Sequence, residues 1–317
     1  MENSIPWIEK YRPMDIDDII MDDNTRQQIN IFLQDRENVH LIITGLPGIG
    51  KTSTVRCIAR KILGNNLTAG YLELISAEDR SIRNICTIIA PFCKKVVEFA
   101  NSKIILLDEA DSLTPKQQCD INNLIKQHGK KTKFIFTCNE SSKIMEDIQS
   151  VCSIIKFKKL NKDQINIYLT NICLKENIEF DEDGLSTIFY ISDGDMRKSI
   201  NDLQKTAYTF AKITKDNVLN ICKIPDPEEI KKIINLCFEE KLVEADTEMN
   251  NIIMKGYYYL DIISGFILVL LDHDINEKLR LKLIKIVKET KVLISIGLRT
   301  KLQLTAMICK LINEINY

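Results

Sequence analysis

Gly45-Leu46-Pro47-Gly48-Ile49-Gly50-Lys51-Thr52 is the stretch whose residue types and spacing could do chemistry most directly. Glycines at Gly45, Gly48 and Gly50 permit a backbone that turns successive N–H groups inward, and Pro47 and Ile49 fill the positions between them. Lys51 then reaches the β- and γ-phosphates of a nucleotide, the Thr52 hydroxyl is placed to ligate Mg²⁺, and Ser53 opens the helix behind. The chemistry implied is binding, and with the right partners cleavage, of a nucleoside triphosphate.

Further residues fit the same reaction. Lys103-Ile104-Ile105-Leu106-Leu107 is an apolar strand that ends in Asp108 and Glu109. Asp108 is placed to hold Mg²⁺ beside Thr52, and Glu109 to polarise an attacking water, because phosphoryl transfer needs a positioned nucleophile and neutralised charge more than covalent help. Taken alone, the acidic pair could equally cap the following helix. Asn139, at the end of Lys133-Phe134-Ile135-Phe136-Thr137-Cys138, can hydrogen-bond the γ-phosphate or the water, or simply form a turn. Arg197, after Gly194-Asp195-Met196, is either a phosphate contact or an ordinary surface arginine.

The elements that must position these groups read as strands alternating with helices. Strands are expected at Val39-His40-Leu41-Ile42-Ile43, Tyr71-Leu72-Glu73-Leu74-Ile75, residues 103–107, residues 133–138 and Ser153-Ile154-Ile155-Lys156-Phe157. Runs that are apolar on both faces suit a parallel sheet covered by helices on both sides. The fold class is therefore α/β, a doubly wound parallel five-stranded sheet over residues 1–160, with the ligand at the strands' carboxyl ends. After Asn161 strand signals stop: residues 161–226 read as short helices broken at Ser192-Asp193-Gly194-Asp195, and the prolines of Ile224-Pro225-Asp226-Pro227 mark a linker. Residues 228–317 read as helical throughout, with Leu279, Leu283, Ile286 and Val287 at helical spacing.

Composition narrows the class. The chain has 317 residues, 45% hydrophobic and 27% charged, with net charge −1, so any attraction to nucleic acid must come from a local patch. No apolar run approaches the roughly 18 residues of a membrane span, and the start has no secretory pattern. Ten cysteines without a Cys-x-x-Cys pair, and three scattered histidines, point to buried thiols in a reducing compartment rather than to zinc. The expectation is an intracellular soluble protein, in a nucleus or a cytoplasmic replication site, with no membrane partner.

Six ordered motifs, Trp7-Ile8-Glu9-Lys10-Tyr11-Arg12-Pro13, Gly45 to Thr52, Leu107-Asp108-Glu109-Ala110-Asp111-Ser112, Thr137-Cys138-Asn139, Ile148-Gln149-Ser150 and Gly194-Asp195-Met196-Arg197, resemble the small subunits of replication factor C. That family is the clamp loader of the AAA+ class. The resemblance implies an ATPase with ATP and Mg²⁺ as cofactors, in which Tyr11 and Arg12 contact the adenine-ribose side and Asn139 and Arg197 are the two sensors. It implies that residues 161–226 form a helical lid and residues 228–317 a collar for oligomerisation. It also implies partners: other clamp-loader subunits in a hetero-pentamer, a sliding clamp that is opened, and primer-template DNA bound without regard to sequence during DNA replication.

Two departures qualify the picture. Where the family carries Ser-Arg-Cys, with an arginine that serves a neighbour's γ-phosphate, this chain has Ser150-Val151-Cys152. Arg80 matches a DNA-contacting position and Arg83 is a nearby substitute for a second, but the family's paired arginines are Asn122 and Asn123 here. The basic stretch Lys278-Leu279-Arg280-Leu281-Lys282, with Lys285, Lys288 and Lys291, is either a solvated helix face or a patch for a partner. The leading reading is a clamp-loader motor subunit. The alternatives are a mainly structural ATP-binding subunit with little hydrolysis of its own, and a small-molecule kinase of the phosphate-loop class.

Overall fold

A computed structural model describes residues 5–34, 39–74, 88–95, 103–222, 225–273 and 275–316. The chain divides into two compact units, residues 1–177 with 192–204, and residues 178–191 with 205–317.

In the first unit, helix α1 (Asp23–Gln34) precedes strand β1 (His40–Thr44), and β1 runs through the phosphate loop into α2 (Lys51–Leu63). Then come β2 (Tyr71–Leu74), β3 (Lys103–Leu107), α3 (Pro115–His128), β4 (Thr132–Cys138), β5 (Cys152–Lys156) and α4 (Lys162–Glu176). All five strands pair in parallel, in the order β2-β3-β4-β1-β5. The central strands β1, β3 and β4 are buried at every position, which is why each carries an unbroken apolar run, Leu41 to Ile43, Ile104 to Leu107 and Phe134 to Phe136, rather than an alternating pattern. Ile105, Leu107, Phe134 and Phe136 share one core with Ile121 of α3 and with Ile148 of the short helix Glu146–Gln149.

Local chemistry sets the helix starts. Thr114 and Gln117 form a capping box ahead of α3 with Pro115 at its first position, and Asn161 and Gln164 form another ahead of α4. Asn177 ends α4 in the left-handed conformation, at φ 54°. The expected five strands are present, each within a residue or two of its predicted bounds.

Helix α5 (Glu182–Ser192) belongs almost wholly to the second unit, and α6 (Met196–Phe210) begins in the first. The prediction that strands stop at Asn161 needs one correction. Glu179–Phe180 pairs in parallel with Lys212–Ile213 as β6 and β7. Two residues per strand carry no readable period, so backbone pairing alone makes this ladder.

The rest of the second unit is helical: α7 (Lys215–Cys222), α8 (Pro227–Phe238), α9 (Leu242–Met254), α10 (Tyr259–Asp272), α11 (Glu277–Ser295) and α12 (Lys301–Asn316). The linker prolines have a second use, since Asp226 accepts the Glu228 N–H at 3.0 Å and caps α8 just ahead of Pro227. Ile233, Met249, Phe266, Val287 and Ile308 contribute to a core drawn from α8 to α12. The basic stretch is partly used within the unit: Lys282 pairs with Glu314 at 2.6 Å, and Arg280 donates to the His273 carbonyl at 2.8 Å. No helix among the described residues is long and apolar enough to cross a membrane.

Candidate nucleotide site

Strands β1, β3 and β4 lie side by side, so their carboxyl ends deliver Gly45, Asp108 and Asn139 to one place. The loop after β1 folds as the glycines require. Gly48 sits at φ 71° and Gly50 at φ 92°, both in the left-handed region that side chains resist. The three protons of the Lys51 ammonium go to the Gly45 carbonyl at 2.7 Å, the Leu46 carbonyl at 2.7 Å and Asn139 Oδ1 at 2.9 Å. Lysine and asparagine are thus already paired across two strands. Burial holds the Lys51 pKa below the ordinary lysine value, and the positive charge of Arg197 adds to that lowering.

The Thr52 hydroxyl lies 3.0 Å from each oxygen of Asp108. A hydroxyl and a carboxylate at one spot are the hard oxygen donors that Mg²⁺ selects, so the residues present fit that ion. Glu109 stands in the left-handed region at φ 53°, unusual for a residue with a side chain, and is exposed at the rim of the site. Its carbonyl accepts the Ser112 N–H at 3.0 Å.

One cavity in the first unit collects these groups. It is lined by the loop from Pro47 to Ser53, by Asp108, Glu109 and Asn139, and by Tyr11, Arg12 and Arg197. Every cofactor-binding residue expected from the sequence is therefore at this cavity or, for Gly45, in the loop that forms it. Arg80 and Arg83 lie outside the described residues.

The segment carrying Tyr11 and Arg12 is fastened to α4. Tyr11 donates to Glu176 Oε1 at 2.7 Å, Lys10 donates to the same oxygen at 2.6 Å, and the Tyr168 hydroxyl donates to the Tyr11 carbonyl. Burial, followed by the bond to Glu176, raises the Tyr11 pKa. Arg12 pairs with Glu9 at 3.0 Å.

Sequence reasoning missed Thr137 and Asp111. Thr137 Oγ1 donates to Asp108 and accepts the Glu109 N–H at 3.2 Å, so one hydroxyl holds the Asp108 carboxylate and the backbone of Glu109. A lone hydroxyl near the end of a buried strand was the available signal. Asp111 Oδ2 accepts the Asn139 N–H at 3.0 Å and holds the end of β4.

The three residues that stand where the resemblance leads one to expect arginine are placed differently. Val151 is 43% exposed in the turn before β5, at the amino end of the sheet. Asn122 is buried and donates to Asp147 Oδ2 at 3.3 Å, whereas Asn123 is exposed.

Comparison with known proteins places these features in a family. Residues 41–160 match the model of the ATPase family associated with various cellular activities. Residues 168–208 match an AAA+ ATPase lid domain, and residues 225–310 match the replication factor C C-terminal domain. A protein of Acanthamoeba polyphaga mimivirus described as a replication factor C small subunit is 68% identical over 315 residues, 99% of each chain. Replication factor C subunit 4 of Schizosaccharomyces pombe is 34% identical, covering 97% of this chain and 91% of its own. Among solved structures, the RuvB Holliday junction branch migration motor of Thermotoga maritima aligns with a TM-score of 0.54 at 15% identity, over 76% of this chain and 85% of its own, a likeness of fold.

Proposed function

The chain belongs to the replication factor C small subunits, ATPases of the clamp loader in DNA replication, and we propose that it uses ATP to help open a sliding clamp and load it onto primer-template DNA. The carrying observation is the convergence of Lys51, Thr52, Asp108, Glu109, Asn139 and Arg197 on one cavity.

In this reading Lys51 exchanges its carbonyl partners for the β- and γ-phosphates, and the loop amides take the remaining phosphate oxygens. Thr52 and Asp108 hold Mg²⁺, which neutralises charge on the phosphates when bound. Glu109 orients the attacking water and Asn139 and Arg197 sense the terminal phosphate, the roles that lower the barrier of a reaction needing mainly position and charge. Tyr11 and Arg12 face the adenine-ribose side. Residues 1–160 form the nucleotide-binding domain, 161–226 the lid and 228–317 the collar, in keeping with the order of the three family matches. Partner subunits complete a hetero-oligomer, and Arg80 and Arg83 are candidates for contact with the DNA backbone.

Val151 favours a narrower second reading in which the subunit does little for an adjoining ATP site. An apolar side chain supplies no charge to a neighbour's γ-phosphate, and an arginine in that role is worth about 10³ to 10⁵ in rate. ATP turnover of the full chain, alone and with clamp, DNA and partner subunits, tests the main proposal. Turnover should rise in the complete assembly and fall about 10² to 10⁴-fold in Glu109→Gln with ATP binding kept. Unchanged turnover in Glu109→Gln would remove Glu109 from the reaction, and failure of the assembly to load a clamp would leave only the structural reading.

A further inference from the structure

Asp195 stands one residue before α6 and two before Arg197, and it faces the phosphate loop as well as its own helix. Its Oδ1 accepts the Lys198 N–H at 3.0 Å, and its carbonyl accepts the Ser199 N–H at 3.0 Å. This is a helix cap, with a carboxylate at the positive end of the helix.

The Met196 N–H, another first-turn donor without a partner inside the helix, goes to the Gly48 carbonyl at 3.1 Å. The phosphate loop therefore supplies part of the cap of α6. The carboxylate of Asp195 also lies tight against Gly48: a β-carbon there would fall 1.8 Å from Asp195 Oδ1 and 2.2 Å from its Cγ. Gly48 is thus required twice, for its φ of 71° and for the space that Asp195 occupies.

A trans peptide is planar, so its carbonyl and N–H point opposite ways. Holding the Gly48 carbonyl on Met196 turns the Ile49 N–H away from α6 and fixes one of the amides that such a loop offers to phosphate. Arg197 follows directly in the chain, so the same contact seats its backbone relative to the loop.

The geometry points to Asp195 as a positioning residue for ATP turnover, locking the phosphate loop and Arg197 into one register by capping α6 and packing against Gly48. The inference deepens the proposed ATP site and rests on the assignment of Arg197 to the terminal phosphate. In the free protein too, α6 holds the loop through groups that belong to the chain itself.

Hydrogen exchange of the 45–52 peptide in the nucleotide-free full chain reads the clamp directly, and affinities for fluorescent ATP and ADP analogues read the sensor. Asp195→Ala should speed exchange of that peptide about tenfold and cut the preference for ATP over ADP about tenfold. Asp195→Asn, whose amide oxygen still accepts the Lys198 N–H, should retain most of both. The Asp195→Ala and Arg197→Ala double variant should discriminate no worse than Arg197→Ala alone, since Asp195 acts through that arginine. Unchanged exchange and unchanged preference in Asp195→Ala, with only a lowered Tm, would reduce Asp195 to a helix cap and overturn the proposal. If Asp195→Ala does not fold, Asp195→Ser keeps a capping oxygen on a shorter side chain. Faster loop exchange at an unchanged Tm then supports the clamp, and unchanged exchange overturns it. Arg197→Ala with undiminished ATP preference would refute the sensor assignment instead, while the exchange measurement still decides the clamp.

Discussion

The two ends of the five-stranded sheet both carry charged and polar groups but arrange them differently. At the carboxyl ends, Lys51, Thr52, Asp108 and Asn139 are paired with one another around an open cavity. At the amino ends the groups are absorbed into the structure. Lys103 caps a helical turn by donating to the Phe92 carbonyl at 2.9 Å and the Lys95 carbonyl at 2.7 Å. The Lys133 ammonium lies 4.9 Å from the centre of the Phe32 ring. His40 Nδ1 accepts the Phe134 N–H at 3.1 Å, and burial, with Lys133 nearby, lowers its pKa to about 4. Its register partner Cys152 has a thiol pushed by burial to about 12. The difference teaches that charge alone does not mark a site; convergence on accessible space does. Val151, exposed and apolar at the amino end, adds nothing to a ligand there.

The sharpest break of this contrast would come from giving the amino end a working cation. In a defined assembly, Val151→Arg should raise hydrolysis at an adjoining site by up to about 10³-fold, while Val151→Ala leaves it unchanged. A large loss in Val151→Ala with no gain in Val151→Arg would show that the valine already contributes. At the other end, Lys51→Ala should weaken ATP binding about a hundredfold and bring turnover to background, because a charge-assisted contact to phosphate is lost. Equilibrium binding of a fluorescent analogue measures this, and near-normal affinity would separate Lys51 from the phosphates.

His40 offers a test in stability. Its folded pKa near 4 lies below the ordinary value of 6.5, so folding favours the neutral ring. The stability it supports is complete above about pH 6.5 and is lost as the pH falls toward 4, by about 3 kcal/mol at 1.36 kcal/mol per unit. Denaturant midpoints across that range should show His40→Gln, which keeps an acceptor but does not protonate, with a shallower decline. Parallel curves for the two proteins would contradict the assignment. The smallest effect is expected at Thr137→Val, which keeps the shape but removes the hydroxyl shared by Asp108 and Glu109. Its kcat should drop about tenfold with little change in ATP affinity. An equal loss in affinity would mean that the hydroxyl orients the binding groups rather than the reacting ones.

Much of the first unit was legible along the chain, because each central strand is buried on both faces and its sequence says so without knowledge of its neighbours. The phosphate loop was legible for a similar reason: positive φ at Gly48 and Gly50 is a local demand met by local residues. The β6–β7 ladder was not, since two-residue strands have no period. Nor were the roles of Thr137, Asp111 and Asp195, whose partners lie 28 residues away for the first two and in the phosphate loop for the third.

Sequence by itself determined the five strands of the sheet, the mostly helical second half and the glycine pattern of the loop from Gly45 to Thr52. Tertiary structure decided which polar residues meet. It set the hydroxyl of Thr137 in β4 against the Asp108 carboxylate and the Glu109 backbone that follow β3, seated Asp195 against Gly48, and buried His40 and Lys103 away from the cavity. Backbone preference acts between near neighbours in the chain, whereas a hydrogen bond between residues far apart in sequence exists only once the sheet has brought their strands together.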